Sequence, residues 1–182
     1  MTRVYLARHG ETDANAEGRV QGSLDPPLNE RGRAQADTLA DEVAALRPAA
    51  LYTSDLRRAY ETAEIVGERV GLALTVDERL AESRRGAWEG RLLREIEREE
   101  PELWAEWRAA GGDFRFPGGE SLAEHSARVE AALAAIAQGP LPAVAVCHGG
   151  TIRCALAARR PEGLSTFNRI AVPNGALVEL PG

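Results

Sequence analysis

Lysine is missing from this 182-residue chain: all 22 of its basic residues are Arg. The absence excludes whole chemistries. Without Lys there is no Schiff base, which removes pyridoxal phosphate enzymes and lysine-dependent aldolases. A Walker A loop, which needs its Lys on the phosphates, is removed as well. What remains is a stock of guanidinium forks suited to bidentate binding of carboxylate or phosphate. For most of these positions codon bias in a GC-rich genome is explanation enough. Cysteine is scarce too. Cys147 and Cys154 stand in one short segment without CxxC spacing, and they read as buried free thiols of a reducing cytoplasm. Three His, with no HExxH or paired His-Asp motif, leave no convincing ligand set. No metal and no cofactor are therefore expected. No apolar run has signal-peptide or membrane-span length, and the net charge of −6 argues against a nucleic-acid surface. A cytoplasmic protein without nucleic-acid or membrane partner is expected.

What is present fits one ordinary α/β domain, long enough to bury a core without disulfides. There is no repeat of solenoid length and no low-complexity tract. Short apolar runs at Val4–Ala7, Ala50–Thr53, Ala73–Val76, Pro142–Cys147 and Leu177–Leu180 read as strands. Helical spacing covers Asn29–Leu46, with Asn29 as N-cap. A second helix runs from a cap at Ser54 or Asp55 to about Val70, ended by Gly71. A third runs from Glu89 to about Ala110, broken near Pro101. Two more run from Glu120-Ser121 to about Ala137 and from His148 to near Arg160. Gly111–Gly119 reads as loop. This alternation predicts a three-layer α/β sandwich whose mostly parallel sheet carries helices on both faces. The expected organisation is a single domain over residues 1–182 with a helical, lid-like insertion at about 84–120. In such sheets the site lies beyond the carboxyl ends of the strands.

Two of the three His fall there. Arg8-His9-Gly10-Glu11 follows the first strand, and His148-Gly149-Gly150 follows the late one. In a chain of this composition Arg-His-Gly is expected about 0.04 times and His-Gly-Gly about 0.03 times, so the pair is informative. Gly lets the backbone approach a ligand, and the helix after His148 aims free N–H groups at the same crevice. A lone His is usually a satisfied core residue, but two at such junctions point to a site. His125 is expected on a solvated helix face without function.

These blocks resemble the histidine phosphatase superfamily, the phosphoglycerate mutase-like group. Arg8-His9-Gly10 with Asn15 matches its first signature. Gly18–Gly22, Asp25–Asn29 and Gly32 match the next block. Ser54-Asp55-Leu56-Arg57-Arg58-Ala59, with Thr62-Ala63, matches its Arg-bearing helix, and Leu80-Ala81-Glu82 with Gly86–Gly90 matches its acid block. Pro117–Ser121, Val146–Gly150 and Asn174 complete the set, so the likeness runs from residue 3 to about 179.

The resemblance implies roles. His9 is the nucleophile, attacking phosphorus through one ring nitrogen while the other donates to a backbone carbonyl. Arg8, Arg58 and His148 surround the equatorial oxygens. Asn15, Gln21 and the amides of Gly22 and Gly149 bind the substrate. Beside these roles, Arg84 and Arg85 are read as meeting the leaving group of an anionic substrate or simply solvent. Glu82 is the proton donor, preferred over Glu78 and Glu89 on the motif alone. It must stay protonated near neutrality, so it is expected to be desolvated or beside another carboxylate. Glu11 is expected to orient neighbours, and Trp104 and Trp107 to pack rather than clamp a ligand. Mutases of the group carry Tyr and Lys where this chain has Arg85 and Leu93. The expected activity is therefore a metal-independent phosphatase using a phosphohistidine. A phosphoglycerate mutase is the runner-up, α-ribazole phosphatase a specific alternative, and an inactive binding module less favoured. The partner is a small phosphorylated substrate, and the chain a monomer or homodimer.

Overall fold

The computed structural model describes residues 3–109 and 111–181. Its strands are β1 (Val4–Arg8), β2 (Ala50–Thr53), β3 (Leu74–Val76), β4 (Ala143–Cys147) and β5 (Leu177–Glu179). Its helices are α1 (Asp13–Glu17), α2 (Glu30–Leu46), α3 (Arg57–Val70), α4 (Leu93–Glu99), α5 (Pro101–Ala109), α6 (Leu122–Ile136) and α7 (Gly149–Ala158). Short 3₁₀ turns lie at Glu78–Leu80, Gly86–Trp88 and Gly163–Arg169. The strands form one sheet in the order β3-β2-β4-β1-β5, parallel except for β5. The expected α/β sandwich is thus the architecture found.

Alternation along the strands builds the layers. Val4 and Leu6 of β1, with Ala143, Ala145 and Cys147 of β4, join Val129, Leu133 and Ile136 of α6 and Ile152 of α7. Ala7, Val144 and Val146 face the other way, onto Leu39 and Val43 of α2 and Ala59, Ala63 and Val66 of α3. Strand β4 is buried along its whole length, as a central parallel strand must be. Gly10 lets the end of β1 pack directly on the first turn of α2, where a Cβ would collide with the Gly32 carbonyl.

A third cluster stands apart from the sheet. It gathers all three Trp and all three Phe of the chain: Trp88, Trp104, Trp107, Phe114, Phe116 and Phe167. Trp88 is its centre, with ring centroids 5.5–6.2 Å from Phe116, Trp107, Phe114 and Trp104. Helices α4 and α5 are the expected broken helix, and its expected end at Ala110 lies outside the described residues. Both cysteines are buried and free. Among the described residues no helix is long and apolar enough to cross a membrane.

Capping follows the sequence at two helices and departs from it at a third. Asn29 accepts from the Gly32 amide, and Ser121 and Glu124 form a reciprocal capping box. Helix α3, however, is not capped by Ser54 or Asp55. It begins after Leu56, and Asp25 accepts from the Arg57 amide at 2.6 Å. Helix α1 was not anticipated; it is a single five-residue turn capped by Thr12 and closed by Gly18.

Candidate active site

Parallel pairing sets the two histidines side by side. Arg8 lies opposite Cys147 in the β1–β4 register, so the next residue of each strand is His9 or His148. Their ring centroids are 5.2 Å apart, and both are buried. His9 Nδ1 lies 2.6 Å from the Gly10 carbonyl oxygen. A carbonyl only accepts, so Nδ1 carries the proton and Nε2 keeps its lone pair. Burial, with the nearby cations of Arg58 and Arg8, holds the ring well below the usual imidazole range. His9 is thus a neutral imidazole with a fixed tautomer. Asn174 secures its backbone, donating from Nδ2 to the His9 and Gly10 carbonyls at 3.1 and 3.3 Å. His148 Nε2 is 2.9 Å from Ser54 Oγ, and its Nδ1 is buried without a partner. Burial, then Arg58, holds this ring neutral too.

The guanidinium groups are anchored from behind. Arg58 donates to the Leu24 and Gly22 carbonyls at 2.6 and 2.9 Å and is buried, whereas Arg57 beside it pairs with Glu61 at the surface. Arg8 donates to the Val172 carbonyl at 2.6 Å. Burial pulls both groups down to about 10, so both stay charged at neutral pH. The Nε of each is buried and unpaired. Thr12 donates to Gln21 Oε1 at 3.0 Å, while the Asn15 oxygen accepts from Thr12 and Asn174. The amide NH₂ groups of Gln21 and Asn15 are left as donors. Both residues line a cleft of about 180 Å³ together with Arg8, His9, Gly22, Arg58, Glu82, Arg85 and Gly149.

Glu82 departs from expectation in its charge. One oxygen accepts from the Ser83 amide at 2.8 Å, and the other from the Gly150 amide at 2.9 Å. A Cβ at Gly150 would meet this carboxylate, so Gly lets it seat against the start of α7. Burial alone would raise this carboxyl. The Arg85 guanidinium, with a nitrogen 4.0 Å away, and the Ser83 amide outweigh it and hold Glu82 well below the usual carboxylate range. It is desolvated as expected, but cations and amides rather than a second carboxylate surround it, so it is ionised in the free site. Its loop is pinned by Arg128, which donates to the Arg79, Ala81 and Glu82 carbonyls and pairs with buried Glu120 at 2.7 Å.

Two further readings are corrected. Arg84 is exposed and does not line the cleft. Its amide and carbonyl both bond Glu120, at 3.2 and 3.0 Å, and this pairing turns Arg84 and Arg85 to opposite sides. Arg85 alone faces the cleft, stacked over Phe116 at 5.0 Å. His125 is fully buried, not solvated, 3.3 Å from Thr151 Oγ1 and 3.6 Å from Cys154 Sγ. Glu11 does orient neighbours, accepting from the Asn29 side chain at 3.1 Å. Trp104 and Trp107 pack together as expected, yet Trp107 also lines the cleft, with Leu93 and Arg153. The sequence reading passed over Arg153. Its signal was spacing: four residues after Gly149 it shares that residue's face of α7. Among the described residues, no group of three or more His, Cys, Asp and Glu is placed to hold a metal ion.

The chain belongs to the histidine phosphatase superfamily (branch 1), whose model matches residues 4–181. A probable phosphoglycerate mutase, GpmB, of Salmonella paratyphi C is 42% identical over 158 residues, covering 85% of this chain and 73% of the relative. A mycobacterial glucosyl-3-phosphoglycerate phosphatase solved with VO₃ superposes with a TM-score of 0.89 at 34% identity, over 98% of this chain and 90% of that one. A putative α-ribazole-5′-P phosphatase of Escherichia coli K-12 does so with 0.83 at 29% identity, over 97% and 88%. The relatives' names divide between mutase and phosphatase.

Proposed function

We propose that the chain is a metal-independent phosphatase that hydrolyses a small phosphomonoester through a phosphohistidine on His9. The observation that carries this is the His9 tautomer: Nδ1–H held on the Gly10 carbonyl, Nε2 unprotonated between two guanidiniums. In this reading Nε2 attacks phosphorus, a P–N bond forms and the ester P–O bond breaks. Arg8, Arg58, His148, Asn15 and Gln21 hold the charge on the equatorial oxygens. The leaving alkoxide takes its proton from Glu82. The carboxylate is ionised in the free site, and it acquires that proton as the substrate's negative charge offsets the cations around it. Water then attacks phosphorus and gives a proton to Glu82, and the P–N bond breaks to free His9 and phosphate. Residues 84–109 and 111–120 form the wall over the leaving-group side.

A mutase is the second reading, favoured by the name of the Salmonella relative. One feature weighs against it. Leu93 stands in the cleft where mutases carry Lys. An α-ribazole phosphate substrate has the support of the E. coli neighbour's name only.

The test is to trap the enzyme during turnover of p-nitrophenyl phosphate in chelator. An acid-labile, alkali-stable phosphoenzyme that is absent in His9→Ala is expected; activity abolished by chelator would overturn the reading. Phosphoglycerate isomerisation primed by 2,3-bisphosphoglycerate at rates on the order of 10 s⁻¹ or more would favour the mutase. A phosphomonoester panel including α-ribazole phosphate ranks the substrates.

A further inference from the structure

The two histidines of the cleft floor are backed by different kinds of atom. Behind His9 Nδ1 stands the Gly10 carbonyl at 2.6 Å, which can only accept. Behind His148 Nε2 stands the Ser54 hydroxyl at 2.9 Å, which can accept or donate. Ser54 is the first residue after β2 and His148 the first after β4, its parallel neighbour, and neither has exposed surface. The direction of this hydrogen bond decides the tautomer of His148, and the tautomer decides what the other ring nitrogen can do.

The remaining contacts of Ser54 Oγ fix that direction. The Leu56 amide donates to it at 3.2 Å and occupies one lone pair. The hydroxyl proton then has two acceptors within reach, His148 Nε2 at 2.9 Å and Asp55 Oδ1 at 3.3 Å. The second is longer than an O–H···O bond, which ends at about 3 Å, and Asp55 is exposed, with solvent to satisfy it. The proton therefore goes to Nε2, and the neutral ring carries its own on Nδ1. The opposite arrangement would load both lone pairs of Oγ and send its proton along the long contact. Nδ1 is buried and unpaired among the described residues, as are the Nε atoms of Arg8 and Arg58. An anion that meets those two N–H groups is attracted by a third and repelled by a bare lone pair.

We propose that Ser54 is a positioning residue of the phosphoryl site: its hydroxyl donates to His148 Nε2 and so keeps an N–H on His148 Nδ1 as a neutral donor to a phosphoryl oxygen. The proposal rests on the reading above, in which His148 holds the transferred group. The two imidazoles then share one tautomer and serve opposite purposes. His9 presents a lone pair as nucleophile, and His148 presents an N–H to the developing charge. The chain from the Leu56 amide through Ser54 to His148 ties the start of α3, which carries Arg58, to the same oxygens. No proton has to move along it, because the donor is set before the substrate arrives.

The test reads the tautomer directly and does not depend on turnover. The protein is labelled with ¹⁵N-histidine, long-range ¹H–¹⁵N correlation shows which nitrogen of each ring is protonated, and His148→Asn assigns the His148 signals. The wild type is expected to carry its His148 proton on Nδ1. A proton on Nε2 there overturns the proposal, whatever the variants do. Ser54→Ala is expected to shift His148 toward the Nε2–H form and to leave His9 in its own tautomer. Calorimetric titration with inorganic phosphate should show about tenfold weaker binding in this variant, the scale of one hydrogen bond to a charged group. Ser54→Thr keeps the hydroxyl, and with it the tautomer and most of the affinity. A Ser54→Ala spectrum in which His148 is unchanged, or in which His9 changes with it, overturns the proposal, and so does an unchanged phosphate affinity. Failure of the wild type to turn over p-nitrophenyl phosphate while tautomer and affinity behave as expected would sink the phosphatase reading and leave the role of Ser54 standing.

Discussion

At the floor of the cleft, Arg8, His9 and Arg58 are each fixed by a hydrogen bond to a backbone carbonyl, and His148 by the Ser54 hydroxyl. In the wall, Trp88 is fixed by four aromatic neighbours and a single hydrogen bond from its indole to Glu100. The floor thus positions particular atoms and leaves chosen ones free: His9 Nε2, and the Nε of Arg8 and Arg58. The wall positions volume. Hydrogen bonds specify direction, whereas aromatic packing specifies mainly fill. A substitution in the floor should therefore register first in rate, and one in the wall first in stability.

The largest effect expected is on rate. In the proposed phosphatase mechanism Arg58→Ala removes a guanidinium from the phosphoryl oxygens, and kcat/KM for p-nitrophenyl phosphate should fall on the order of 10³-fold or more. Circular dichroism at the assay temperature checks that the variant is folded. Next comes Trp88→Ala. It empties the centre of a cluster in which Trp88 has no exposed surface, and should cost about 3–5 kcal/mol in urea unfolding. Turnover by its folded fraction should change less than in Arg58→Ala. The comparison breaks if the two effects are reversed.

The same division explains what could be read from the sequence. Floor residues need particular atoms, so Arg8, His9, Gly10 and His148 stand as motifs, and parallel strand ends bring them together. Gly150 belongs with them, because a Cβ there would meet the Glu82 carboxylate. Long-range partners were less legible. The ionised state of Glu82 depends on the Arg85 guanidinium, and one of its oxygens accepts from an amide 68 positions away. His125 sits in a charged stretch of sequence, and only its contacts with α7 reveal a buried face. Arg84 and Arg85 are indistinguishable until Glu120 fixes which one turns inward. Arg153 carries no motif that the resemblance supplied.

His125 joins the two regions. Thr151, which it touches, donates to the Leu80 and Ala81 carbonyls beside Glu82, and Cys154, its other neighbour, belongs to the aromatic cluster. Burial, with Arg128 acting the same way and Glu82 opposing, holds the ring at about 4. An unfolded chain binds this proton near 6.5. Between these values the unfolded state carries more protons, so stability is whole above about 6.5 and is lost as pH falls toward 4. The loss amounts to about 3 kcal/mol at most from this group, and His9 and His148 add in the same direction. Urea unfolding at pH 7.5 and 4.5 should show a smaller acid loss in His125→Gln than in the wild type. An equal loss would mean that the imidazole is not what resists protonation at this joint.

The smallest effect tests how the floor is tethered. Residues 22–25 hold the start of α3 twice: Asp25 caps the Arg57 amide, and the Gly22 and Leu24 carbonyls hold the Arg58 guanidinium. Asp25→Ala should cost about 1 kcal/mol in urea unfolding, as for other lost N-caps. Asp25→Asn keeps an acceptor oxygen and should recover most of it. Because the cap and the guanidinium anchors share one loop, the alanine variant should also raise KM for p-nitrophenyl phosphate, and the asparagine variant should restore it. A stability loss without that change in KM would show that the cap serves only the helix, and that the two carbonyls hold Arg58 without it.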